Sequence, residues 1–533
     1  TSSASAFTVD NTGPAIALTY AITSSVPANA AAAAALTYSA SASRPVKGAE
    51  VVVVKAVATE TNALASAISL SLDGSRTISA IGTLSASDTT AYFTHTVGSS
   101  DTGTATVSVT APDTAGNAAT TSSTTTFTID TTSPSAATTL TFTSSGGTVV
   151  ANSLNATNTA FSVGATITAG EVGSAGGTAE LLVDGASFSP TITASVSNTD
   201  SSVTLASGTT TTAGLQSLFT AGTARVLTVK LTDSAGNATT SSGSGNTVSV
   251  LSDYTAPTVS TVTTSASGSK TTGGSVAITV TMSEAVTTSA SATLTLETGT
   301  TDRNATCPAV TTSTTLTCTY TVVGGDTASR LDYVATSSLA TSGTVRDAAG
   351  NSATLTLPAL GASGLYTANI IVDTTAPSAP TATLTSTDSG TSGDRVTNVA
   401  PVLGVTAEAG STVAVTATKD GSAFTLNTGL SSISGTGSAV SWTPLGASGA
   451  ALADGVYIFS FTQTDSAANV QSTASTLTVT VDTTAPTSTT VSLTSTDSGT
   501  SGDRVTNVAP VLGVTAESGS TVAVTATKDG SAF

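Results

Sequence analysis

The sequence predicts an all-β chain of tandem antiparallel β-sandwiches. Three features predict it: a composition suited to strands and turns, apolar residues alternating with period two, and a punctuation mark recurring once per domain length.

Charged residues make up 9% of the 533 positions and aromatics 4%, with Thr, Ser, Ala, Gly and Val filling most of the rest. Too little charge is present for a solvated disordered tail. Thr, Ser, Val and Gly cost helix stability relative to Ala. Thr and Val suit strands, and Gly, Asn, Asp and Ser suit turns. The length accommodates about four domains of ~100–150 residues, with cores of mostly small side chains.

Alternation supplies the strands. Ala105, Val107 and Val109 share one face of 104–110, and Leu227, Val229 and Leu231 share one face of 226–232. Tyr457, Phe459 and Phe461 do so in 456–462. Period-two runs bounded by turn residues read as half-buried antiparallel strands.

Repeats set the domains. Leu384 to Phe424 recurs as Leu493 to Phe533, offset by 109 residues, with Ala409 replaced by Ser518. A strand ending in Asp, followed by small residues and Pro, appears at Asp10–Pro14, Asp130–Pro134, Asp253–Pro257, Asp373–Pro377 and Asp482–Pro486. The spacings, 120, 123, 120 and 109, are sandwich-sized. A turn sequence precedes each of the last four: Asp113-Thr-Ala-Gly-Asn117, Asp233-Ser-Ala-Gly-Asn237, Asp347-Ala-Ala-Gly-Asn351 and Asp465-Ser-Ala-Ala-Asn469. Asp binds its own backbone in such turns, and Gly or Asn takes positive φ. The expected division is 1–10, the last strand of a preceding domain; domains 1 to 4 at 11–130, 131–253, 254–373 and 374–482; and the N-terminal half of a fifth at 483–533. The stretch reads as a window from a longer array.

Asp-x-Ala-Gly-Asn followed by a strand and Val-Asp-Thr-Thr-Ala-Pro resembles bacterial Ig-like repeats, which build the extender regions of very large surface adhesins. Thr387-Asp388-Ser-Gly-Thr-Ser-Gly-Asp394 to Asn398, Gly404 to Gly410, and Thr281-Met-Ser-Glu284-Ala-Val286 strengthen the likeness. It covers nearly the whole chain. The resemblance implies immunoglobulin-like antiparallel β-sandwich domains arranged as an extended rod, an extracellular cell-surface location, and calcium at domain junctions.

Topology makes an independent case for the ion. The last strand of each sandwich runs lengthwise, so its closing Asp faces the last hairpin of the following domain. A third acid falls in the bend after the second strand. The expected clusters are Asp130/Glu171/Asp233, Asp253/Glu284/Asp347 and Asp373/Glu408/Asp465, with Asp482 and Glu517 an incomplete one. Clustered carboxylates fit the oxygen ligation that Ca²⁺ prefers. The alternative is that each Asp is a turn or cap residue and each Glu is solvated. In domain 1, Arg44 and Lys47 occupy the expected place of the Glu. Asp388 and Asp394 offer a further loop site, or ordinary turn sequence.

The two cysteines, Cys307 and Cys318, flank a short turn. The reading favoured is a disulfide, which implies an oxidising compartment, over two free thiols. The sequons at Asn155, Asn237 and Asn304 permit N-glycosylation.

Net charge is −18, from 32 acidic and 14 basic residues, without a basic stripe, so nucleic acid is not an expected partner. No apolar run of ~18 residues offers a membrane span. Ala30–Ala35 is too short, and lacks the basic flank of a signal peptide. His95 is the sole histidine, and no nucleophile–base pair or phosphate loop accompanies it, so no enzyme is expected. Trp442 reads as a core plug, with sugar stacking as the alternative. The functional expectation is a structural stalk whose ligand-binding part lies elsewhere in the full protein. Its expected partners are neighbouring domains of the same chain. The alternative is a self-assembling filament or surface-layer subunit that contacts copies of itself.

Overall fold

The computed structural model describes residues 7–121, 125–209 and 211–532. Strands dominate, and apolar residues gather into four main cores, spanning Ile16–Ile129, Ala137–Val250, Val262–Val372 and Leu403–Val481. Each core is built from two sheets, the sandwich arrangement.

In domain 4 one sheet orders Thr381–Leu384, Leu403–Thr406 and Ala439–Trp442. The facing sheet orders Val396–Thr397, Ser475–Val481, Gly455–Thr464, Thr412–Lys419 and Ser422–Phe424. Tyr457, Phe459 and Phe461 are fully buried between them, and Trp442 meets Phe459 edge-on at 5.6 Å. The indole Nε1 donates to Leu430 O, so Trp442 is a core residue rather than a surface platform. Domain 2 fills its core with Phe142, Phe161, Phe188 and Phe219. After domain 4, Thr490–Leu493 pairs with Leu512–Thr515 in the register that Thr381–Leu384 has with Leu403–Thr406.

A parallel contact recurs in every domain. An early edge segment runs beside the closing strand just ahead of the closing Asp: Val46 beside Ile129, Ser153–Leu154 beside Leu251–Ser252, Ser269–Lys270 beside Ile371–Val372, and Val396–Thr397 beside Thr480–Val481. This pairing carries the closing Asp to the far pole of its own domain.

Three details depart from the sequence reading. The closing strand of domain 1 is divided: Thr120–Thr121 pairs with Ala15–Thr23, and Thr126–Ile129 pairs with Gly103–Thr110 in the other sheet. Short helices occur at Ala30–Ala34, Thr212–Leu218 and Gly364–Thr367. The first is an alanine run, which carries no propensity cost, capped by the Asn29 side chain. It covers Val51 and Val53 on the outer face of Val51–Thr59, which is why Val51–Val54 breaks the alternation and is buried on both faces.

Candidate metal centre at the domain joints

The Asp-x-Ala-x-Asn turns build the joints. In each, one carboxylate oxygen of Asp113, Asp233, Asp347 or Asp465 accepts the amide N–H of the Asn four residues on, at 2.8–2.9 Å. The other accepts the Asn side-chain Nδ2 at 2.7–2.9 Å. Left-handed backbone is needed at the fourth position, where Gly116, Gly236 and Gly350 have φ of 90°, 93° and 97°. The fourth turn puts Ala468 there, at φ 76°.

The same Asn Nδ2 then crosses to the linker. Asn117 donates to Asp10 O at 3.1 Å, Asn237 to Asp130 O at 2.9 Å, Asn351 to Asp253 O at 3.0 Å and Asn469 to Asp373 O at 2.9 Å. Each closing Asp is therefore held by the last hairpin of the following domain. Topology predicts these groups near one another; the asparagine amide that makes the contact is not among the expected residues. The residue after the closing Asp is tied backwards. Thr131 Oγ1 donates to Asp101 O at 2.9 Å, Thr374 Oγ1 to Asp326 O at 3.0 Å, and Thr483 Oγ1 to Asp454 Oδ1 at 2.7 Å. The third linker has Tyr254 instead, packed against the domain 2 core, where burial pushes its hydroxyl up to about 12.

The acids of the bends differ from joint to joint. Glu171 is engaged by Ser135, through N at 2.6 Å and Oγ at 3.0 Å, and Glu517 accepts Thr487 N at 2.8 Å. In domain 3 the equivalent amide, Thr258 N, goes to Ser283 Oγ at 2.9 Å. Glu284 turns instead toward Asp253 and Asp347, and one ligand oxygen from each of the three lies within 4.8 Å of the others. Burial and then the charges of Asp253 and Asp347 push the Glu284 carboxyl above its ordinary range. Among the described residues no other group of three or more His, Cys, Asp or Glu side chains is gathered so closely.

Asp130 and Glu171 line one cleft, with Asp130 Oδ1 accepting Thr132 N at 3.1 Å. Asp233 stays within its turn. Asp373 Oδ1 accepts Thr375 N, and Asp465 Oδ1 accepts Ala467 N, both at 2.9 Å. At that joint the buried Gln463 amide braces the bend beside Glu408. Oriented so that every atom has a partner, it accepts Glu408 N at 2.9 Å and donates to Ser378 O at 3.1 Å. Asp482 and Glu517 share a cleft with Asp394. Asp388 Oδ2 accepts Gly393 N at 2.6 Å and Asp394 Oδ1 accepts Val396 N at 2.9 Å, both as turn residues.

The placing of Arg44 and Lys47 is corrected. They lie at the end of domain 1, beside Ile129, and not at its starting pole, because Val46 pairs with the closing strand. The bend after the second strand of domain 1 holds Glu60 and Asn62, and Asn62 Nδ2 donates to Asp10 Oδ2.

Residues 374–483 match the bacterial Ig-like domain. Two solved structures align with longer stretches of the chain. The D00-D0 domain of intimin aligns at 14% identity and TM-score 0.19, covering 39% of this chain and 96% of that one. The D1-D4 ectodomain fragment of ICAM-5 aligns at 10% identity and TM-score 0.23, covering 82% and 96%. No curated protein matches the sequence.

Cys307 and Cys318 form a disulfide inside the domain 3 core, between Arg303–Cys307 and Ser313–Thr321. Of the three sequon asparagines, Asn155 is buried and Asn237 holds Asp130 O, while Asn304 is exposed.

Proposed function

We propose that this chain is a structural extender of an extracellular cell-surface protein, a stalk that holds a ligand-binding part away from the cell. The observation that carries the reading is the joint. Four successive linkers are held by the same asparagine-to-carbonyl bond, and two of them, at Asp130 and Asp373, are also tied back by the following Thr, as is the linker at Asp482. A linker held on both sides fixes the angle between neighbours, and repetition of fixed joints makes length. The disulfide suits an oxidising compartment, and the bacterial Ig-like match at 374–483 agrees with a surface location.

Calcium belongs to this reading at the joint between domains 2 and 3. Asp253, Glu284 and Asp347 would hold it. Three hard oxygen donors that repel one another without a counter-charge suit Ca²⁺. The ion would supply a charge that joins both domains. At the other joints Glu171, Glu517, Asp130, Asp373 and Asp465 accept bonds from protein donors.

Light scattering and small-angle X-ray scattering test the proposal. A monomer with an elongated profile is expected, more flexible in chelator than in calcium. A compact profile would overturn the stalk reading, and concentration-dependent side-by-side association would favour a filament or lattice subunit.

A further inference from the structure

We propose that the joint between domains 1 and 2 is closed without a metal ion, by a cationic clip of Arg44 and Lys47 that seats the Asp233–Asn237 turn of the following domain. Arg44 Nη1 donates to Ala235 O at 2.7 Å, and Lys47 Nζ donates to Gly236 O at 3.3 Å. These are adjacent carbonyls of one turn, nearly 190 residues away in the chain. The clip is ordered from within domain 1. Glu50 accepts both guanidinium nitrogens of Arg44, at 2.9 and 2.5 Å, and the Lys47 amide at 3.1 Å. Such charge-assisted bonds are about twice as strong as neutral ones. The negative charge of Asp233 adds to the attraction, and the Arg44 guanidinium is held still more firmly protonated, first by Glu50.

The surface has a counterpart one joint along. Lys47 follows Val46, and Asn155 follows Leu154, at the same place beyond the parallel pairing. Asn155 Nδ2 donates to Ala349 O at 2.9 Å, the carbonyl equivalent to Ala235 O. The end face of one domain thus presents a donor to the same carbonyl of the next domain's turn. In the first joint the donors carry positive charge, which substitutes for a cation beside Asp233. This inference is independent of calcium binding between domains 2 and 3.

The test is a spin-label distance measurement on the full chain. The native cysteines are paired, so introduced thiols are labelled selectively. Ser71→Cys with Ser195→Cys reports the first joint, and Ser195→Cys with Thr261→Cys the second; all three positions are exposed. The first pair is expected to give a single narrow distance peak that chelator leaves unchanged. Combined Arg44→Ala and Lys47→Ala substitution is expected to abolish that narrow peak. Broadening of the wild-type first pair by chelator would overturn the proposal, as would an unchanged peak in the double variant. If the double variant does not fold, Glu50→Gln decides: it keeps both cations but loosens their fork, so broadening supports the clip and an unchanged peak refutes it. The second pair separately reads the calcium proposal.

Discussion

Replacing Glu284 with Gln should have opposite effects with and without calcium. Its carboxylate faces those of Asp253 and Asp347, with ligand oxygens within 4.8 Å. Coulomb's law at an effective dielectric constant of ~20 gives about 3.5 kcal/mol of repulsion for each such pair. The group is partly exposed, and measured exposed charge pairs are worth roughly 0.2–1 kcal/mol each. Relief of two pairs should therefore stabilise domain 3 by about 1 kcal/mol in chelator. In calcium the same change removes a ligand, and the variant should lose the stabilisation that the ion gives the wild type. The pH dependence follows from the raised Glu284 carboxyl. The folded state holds this proton more tightly than the unfolded chain does. Its contribution is therefore fully present below the ordinary carboxyl range, near ~4.3, and is lost as pH rises through the elevated folded value. Calcium affinity should rise over the same window, because proton and ion compete. Hydrogen exchange of peptides spanning 281–286 and 347–351, with and without calcium, reads both effects. Equal calcium protection in wild type and Glu284→Gln would refute the reasoning.

Asn351→Ala removes the bonds to Asp347 Oδ2 and Asp253 O, and should cost about 1–3 kcal/mol, seen as faster exchange in the 347–351 turn. Ala468→Gly relieves a left-handed alanine and should stabilise domain 4 by about 1 kcal/mol, read by calorimetry. Removing the Cys307–Cys318 bridge by Ala substitution at both positions should destabilise domain 3 by roughly 3 kcal/mol, with the other thermal transitions unmoved. Phe459→Ala empties a fully buried site and should cost about 3–5 kcal/mol. Because the main cores are separate, only the domain 4 transition should shift.

The sandwich strands were legible because period two is a direct readout of burial: Leu227, Val229 and Leu231 are 0–2% exposed. The approach of closing Asp to following turn was legible from topology alone. The asparagine contact was not, since a turn explains Asn as a left-handed residue. The overlooked signal is Asn469, retained where Ala468 has replaced the glycine. The difference between the bends was also written in one position. Ser283 precedes Glu284, whereas Gly170, Ala407 and Ala516 precede the other acids. A hydroxyl there takes the linker amide and leaves the carboxylate to its neighbours. Arg44 and Lys47 were misplaced because the helix-bearing segment between the first two strands of domain 1 shifts the alignment with its neighbours.

The parallel edge pairing has a mechanical consequence. Tension along the chain pulls the early segment of each domain backwards and its closing strand forwards. In domain 2 the bonds Leu251 N to Asn152 O, at 3.0 Å, and Asp253 N to Leu154 O, at 2.9 Å, lie across that slip plane. They are loaded in shear together, rather than peeled open one after another, so the strand that carries the joint is also the one best placed to resist being drawn out.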